Sequence, residues 1–192
     1  MLMILLEGQI KLEKLKRKML IRLLERDEIE KVRKIDRSEL IEQLYYYDHG
    51  KLNLKDVYID DPGWTPSEIE SHVRHLYKLY DSGGYLYGAF DGEKLTGIAT
   101  LGKNFIGSAK NQLIVTFFHV DAQFRKQGIG TALINTIITR AKALGAKKLY
   151  ISATPSKNTI NFYFNRGASL TKELNPKLFE LEPEDIHLDI DI

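Results

Sequence analysis

The stretch Val120-Asp-Ala-Gln-Phe-Arg-Lys-Gln-Gly-Ile-Gly-Thr-Ala-Leu133 sets an arginine, a lysine and two glycines at the junction of two apolar segments. Upstream, Leu113 to Val120 is almost wholly apolar; downstream, an amphipathic run ends at Leu144-Gly145. A strand that turns through glycines into a helix start aims several unpaired backbone N–H groups at one point, where the helix dipole adds to them. That point suits a phosphorylated ligand. Two familiar phosphate loops are excluded by spacing. A Walker loop needs lysine after its last glycine, and Gly130 is followed by Thr131. A dinucleotide fingerprint needs a third small residue where Leu133 stands, and an acidic residue near Ala146-Lys-Lys148.

Other chemistry is limited by what the chain lacks. With no cysteine, disulfides, thiolate metal sites and a cysteine nucleophile are excluded. No His, Asp and Glu cluster has metal-ligand spacing, so no metal is expected; His49 and His72 read as surface residues. A formal net charge of +2 gives little general attraction to nucleic acid or an anionic membrane, and neither is expected as a partner. No apolar run approaches the roughly 18–20 residues of a bilayer span. Met1 to Leu6 lacks a basic flank and runs into Glu7, so a signal peptide is not expected and the expected location is the cytoplasm. Apolar and charged fractions of 43% and 28% are those of an ordinary globular protein.

The elements that must position the glycine turn follow from periodicity and punctuation. Residues 1–18, with the basic run Lys11 to Lys18, read as a helical N-terminal extension, and 19–192 as one domain. Met19 to Leu24 reads as a strand. Asp27 is expected to cap a helix carrying Ile29, Val32 and Ile35, and a second short helix is expected from Ser38 towards Tyr47. Lys51 to Gly63 reads as a polar, acidic connector with room for a short strand. Thr65-Pro-Ser-Glu68 is a capping box opening a helix that stops at Ser82-Gly-Gly84. Two strands flank Asp91-Gly92 as a hairpin, and Leu113–Val120 is a central strand. After the glycine turn come a helix capped by Gly145, the strand Lys148–Ala153, a short helix closed by Gly167, and a final strand pair, Ala168–Lys172 with Ile186–Ile190.

Arg125-x-x-Gly128-x-Gly130 matches the Arg/Gln-x-x-Gly-x-Gly/Ala signature of acetyl-CoA-binding acyltransferases, and Asn158-Thr-Ile-Asn-Phe-Tyr-Phe-Asn-Arg-Gly167 follows at the expected separation. On these two motifs the sequence resembles the GNAT N-acetyltransferase family, over about Met19 to Ile192. The resemblance implies an α/β fold, with a mixed, mostly antiparallel, splayed sheet and helices on both faces. It implies acetyl-CoA as co-substrate. Backbone groups of Phe118 and Val120 would pair with the pantetheine arm. The amides of Arg125, Lys126, Gln127, Gly128, Ile129, Gly130 and Thr131 would hold the pyrophosphate, with Arg125 and Lys126 adding charge. Ser156 stands where many relatives carry Asn, and Asn158 is the other candidate for that cofactor contact. Tyr163 is the residue expected to be catalytic, protonating the departing thiolate.

The base is not evident. Gln112 and Thr116 occupy the strand positions where some relatives carry Glu or His, and glutamine cannot take the proton. His119 titrates, but strand alternation sets it on the face opposite Phe118 and Val120, as a base or as a packed histidine. The expected acceptor is a primary amine of a small molecule, with a homodimer left open. Asp48, Asp56, Asp60 and Asp61, among Tyr45 to Tyr47, Tyr58 and Trp64, are the expected wall for its ammonium. The rivals are a protein N-terminus or lysine as acceptor, and a non-catalytic acetyl-CoA sensor.

Overall fold

The computed structural model describes residues 19–192; the extension expected over 1–18 lies outside the described residues. In chain order, β1 (Leu20–Leu23) leads to a 3-10 helix (Arg26–Lys34), then β2 (Glu39–Asp48), β3 (Lys51–Asp61) and α1 (Pro66–Asp81). β4 (Tyr85–Asp91), β5 (Lys94–Leu101), β6 (Gln112–Val120), α2 (Ile129–Ala143) and β7 (Lys148–Ala153) follow. The chain closes with α3 (Lys157–Phe164), β8 (Ala168–Leu170), α4 (Pro176–Leu181) and β9 (Ile186–Asp191). Seven strands form one sheet in the order β1-β4-β5-β6-β7-β9-β8, while β2 and β3 make a separate hairpin.

The seven-stranded sheet is antiparallel except between β6 and β7, and that pairing is short. It joins Gln112–Val115 to Lys148–Ile151 and then stops. Beyond it, β6 continues beside β5 while β7 stays with β9, so the sheet splays open at the C-terminal ends of its two central strands. Helices cover both faces. α2 buries Leu133, Ile134, Ile137 and Ala141 against one. On the other, Ile29 and Val32 of the 3-10 helix join Val73 and Leu76 of α1 over Leu86, Phe90, Ile98 and Phe117. The fold class is the expected one.

Three local expectations fail. The segment expected as a helix is the strand Glu39–Asp48, and 51–61 is its full-length partner rather than a connector with a short strand. Three consecutive tyrosines favour an extended chain. His49 (φ 45°) and Gly50 (φ 83°) both take positive φ, the requirement of a tight two-residue hairpin turn. Pairing across that turn outweighs the helical spacing of Leu40, Ile41 and Leu44, of which only Ile41 is buried. The first helix is 3-10 throughout, and Glu25 caps it rather than Asp27, in a reciprocal box with Glu28. α4 was not anticipated; Asn175 caps it, accepting the Leu178 N–H at 3.2 Å, with Pro176 at its first position.

Candidate functional site

The glycine turn is fastened before it reaches the helix. Asp121, 1% exposed, accepts the Gln123 N–H at 3.1 Å and pairs with Lys94 at 3.1 Å. Ala122 N–H donates to the Asp36 carbonyl at 2.7 Å, tying the turn to the chain before β2. Arg125 donates from Nε to the Val120 carbonyl at 3.1 Å and from its terminal nitrogen to the Ser38 carbonyl at 2.8 Å. The charge expected to meet a ligand is thus largely a staple between the turn and the entry to β2. It also occupies one lone pair of the Val120 carbonyl, which leaves the other for a ligand.

Past the staple the backbone turns left-handed at Lys126 (φ 59°) and Gly128 (φ 85°). Gly128 is the N-cap of α2 and supplies no side-chain cap, so the first-turn N–H groups point outward without an acceptor from it. Its positive φ requires glycine at this position. A Cβ on Gly128 would meet nothing within 4 Å, whereas one on Gly130 would come within 2.9 Å of the Phe162 ring. The first glycine therefore serves the turn, and the second the close approach of α2 to α3.

A cleft of about 730 Å³ opens in front of this helix start. Phe118, Val120, Arg125, Lys126, Gly128, Gly130, Thr131, Asn158 and Tyr163 border it, nine of the expected site residues. Three do not. Gln127 is exposed, its side chain donating to the Gln123 carbonyl at 3.0 Å. Ile129 is 5% exposed and packs in the core, so only its backbone is available to a ligand. Ser156, 1% exposed, is the N-cap of α3: its oxygen accepts the Thr159 N–H at 3.3 Å and its hydroxyl reaches Thr159 Oγ1 at 3.0 Å. A hydroxyl satisfied by its own helix leaves little for a cofactor, which corrects the expected role of Ser156. Asn158 remains at the cleft, with its amide donating to Glu39 at 2.9 Å.

Tyr163 lies at the inner end of α3, 4% exposed, its ring edge-on to Phe118 (6.1 Å) and Phe162 (5.1 Å). Burial pushes its phenol well above the usual 10, so the O–H stays protonated around neutral pH. Arg166 escaped the sequence reading. Its guanidinium stacks 3.7 Å from the centre of the Phe162 ring, donates to the Phe162 carbonyl at 2.5 Å and reaches the Thr131 hydroxyl. It is a fixed cation over the uncapped start of α2. The sole signal for it was its place before Gly167 at the end of the second motif.

His119 packs against the rings of Trp64 at 4.8 Å and Phe117 at 4.5 Å and still borders the cleft. Burial drives it down to about 3, with the charges of Arg37 and Arg125 adding to the effect. A base so weak does not suit an ammonium substrate. His72 is not the expected surface residue: it is half-buried against Trp64 (5.5 Å) and Phe117 (5.2 Å), and burial lowers it too. Nor do the four aspartates meet. Asp48 sits at the hairpin tip beside His49, Asp56 takes the Gln43 amide at 2.7 Å, Asp60 is exposed, and Asp61 binds Arg37. At ~3.3 Å per strand residue the tip and base of the hairpin are about 30 Å apart. Among the described residues no cluster of metal-ligating side chains occurs.

Comparison with known proteins follows this geometry. A model of the acetyltransferase (GNAT) family matches residues 52–167. No curated protein matches the chain in sequence. Among solved structures, nourseothricin acetyltransferase superposes with a TM-score of 0.67 at 18% identity, covering 90% of this chain and 98% of that one. A putative streptothricin acetyltransferase from Bacillus anthracis, in complex with acetyl coenzyme A, gives 0.67 at 17% identity, covering 91% and 99%. The PaiA N-acetyltransferase from Thermoplasma acidophilum, in complex with coenzyme A, gives 0.60 at 16% identity, covering 91% and 99%.

Proposed function

This chain belongs to the GNAT acetyltransferase family, and from that premise we propose that it moves acetyl from acetyl-CoA to a primary amine of a small molecule. The observation that carries the reading is the meeting, in one cleft, of an uncapped helix start with a buried, protonated Tyr163. The pyrophosphate takes the backbone N–H groups from Gly128 to Thr131, with Lys126 and Arg166 as cations beside it. The pantetheine arm lies along the part of β6 that β7 has left, and its thioester comes to Tyr163. Amine nitrogen attacks the thioester carbon, a C–N bond forms, and the C–S bond breaks. The expelled thiolate, whose acid form resembles cysteine with a pKa of about 8.5, takes the phenol proton. Clefts of this size suit small molecules. The hairpin also crowds the splay: Tyr45 N–H donates to the Pro155 carbonyl at 2.8 Å and Leu44 bridges to Ser156.

Two measurements test this. Acetyl-CoA should raise the melting temperature of the full chain, and Gly128→Val should remove that shift while the variant remains folded. An undiminished shift in the variant would sink the assignment of the turn. Free-thiol release over a library of small amines, peptides with free N-termini and lysine peptides then separates the acceptors. Release with peptides alone, or with nothing, favours protein acetylation or a sensor.

A further inference from the structure

Among the described residues β3 pairs with β2 alone. The outer edge of β2 is taken: Tyr45 N–H donates to the Pro155 carbonyl and Leu44 bridges to Ser156, so β2 stands between β3 and the start of α3. Along the eleven residues of β3, the N–H and C=O of every second residue therefore point away from β2 to an open edge. An edge of that length is a template for another strand unless something blunts it.

Charge is the usual means of blunting an edge, and on β3 it is divided by sign. Lys51 and Lys55 lie in the half next to the hairpin tip, and Asp60 lies in the half next to its base. None of these three side chains has an ion-pair partner among the described residues. The register with β2 fixes the face that each residue takes. Lys51, Lys55 and Asp60 stand opposite Asp48, Leu44 and Leu40, which share one face of β2. Leu52, Leu54 and Ile59 stand opposite Tyr47, Tyr45 and Ile41, which share the other. A bulge between Asp56 and Ile59 brings the two halves of β3 into this phase.

Each face thus carries one kind of residue in the tip half and its complement in the base half. Lysines answer an aspartate on one face, and leucines answer an isoleucine on the other. An antiparallel strand of the same sequence lays tip half against base half and matches both faces at once. A parallel copy would set like charge against like.

We propose that β3 pairs with β3 of a second copy of this chain, antiparallel about a twofold axis, making a four-stranded sheet β2-β3-β3-β2 shared by two chains. The contact uses the same surface on both copies, so it closes at two. Leu54, Tyr58 and Ile59, all exposed in the single chain, come to lie along the seam. The proposal stands apart from the acetyl-transfer reading. What it adds is a cleft wall, Glu39 to Ile41 of β2, held in a sheet that spans two chains.

Sedimentation equilibrium on the full chain should show a monomer–dimer equilibrium, a weak one because a strand pair is a small interface. Lys51→Glu with Lys55→Glu in one variant, and Asp60→Lys in another, should each raise the dissociation constant by about tenfold or more. Every cross-strand charge pair occurs twice and turns from attraction to repulsion. Mixing the two variants should restore a dimer with one chain of each, and all three substitutions in a single chain should restore the homodimer. Circular dichroism checks that each variant is folded. Should one not fold, hydrogen exchange on wild type decides: uptake at alternate amides of Lys51–Asp61 should slow as protein concentration rises. A wild type still monomeric at about 0.2 mM overturns the proposal. So does a dimer indifferent to the charge reversals, or a mixture no tighter than its separate variants. Protection of β3 that is equal at every concentration, as residues 1–18 laid on the same edge would give, overturns it as well.

Discussion

Tyr163 keeps its proton because its surroundings exclude water, and the same exclusion makes its removal measurable. General-acid help is worth about 10²–10⁴ in rate, so Tyr163→Phe should lose turnover by that order while its acetyl-CoA dissociation constant is kept. A rate within about twofold of wild type would leave the ring as packing only. His119 gives a second readout, in stability. Its folded value of about 3 lies below the usual 6.5, so between those values the unfolded chain binds a proton that the folded one refuses. Its share of stability is complete above pH 6.5 and drains away as pH falls towards 3. His119→Phe should therefore flatten the fall of melting temperature with acid over that window, and an unchanged slope would contradict the burial. At this scale the sequence exposed whatever is local: two glycines, a turn and a tyrosine one helix away. It hid what depends on distant partners. Arg125 stands in its motif yet serves as a staple to Ser38, Ser156 caps its own helix, and Arg166 gains meaning only when the end of α3 meets the start of α2.

Elements with self-contained signals formed as expected, and α1 shows why. Thr65 Oγ1 accepts the Glu68 N–H at 3.3 Å, Glu68 returns the bond to the Thr65 N–H at 2.7 Å, and Pro66 fills the first helical position. All of that is written within four residues. Losing such a cap costs about 1 kcal/mol, so Thr65→Ala should lower the melting temperature by about 2–4 °C with no change in acetyl-CoA affinity. A shift in affinity would mean that α1 bears on the site directly. The β2–β3 hairpin is the opposite case. Leu40, Ile41 and Leu44 are spaced as well for a helix as for a strand, and the decision came from pairing with residues up to Asp61 and from docking on Pro155. Nothing within a helix-length window carries that information. The acidic wall expected there failed for the same reason, since a strand separates residues that a compact loop would gather.

Across the whole molecule the sheet is held together at its centre by four residue pairs of parallel strand, and the open length beyond them is where the proposed function lays the donor. A ligand that binds the folded chain alone stabilises it by about 2.7 kcal/mol at a hundred times its dissociation constant. The melting temperature should accordingly climb with the logarithm of acetyl-CoA concentration, and a plateau at low occupancy would indicate binding to another state. The half-zipped centre also leaves a mark on the isotope exchange of the backbone. From Phe117 to Val120, β6 has a strand neighbour in β5 and none on the side of β7. Along a strand successive N–H groups point to alternate sides. Deuterium uptake through Phe117–Val120 should therefore follow a period of two, slow where the amide meets β5 and fast where it faces the gap. Acetyl-CoA should slow the fast ones and leave the slow ones alone, so the pantetheine arm can be located residue by residue before any acceptor is known.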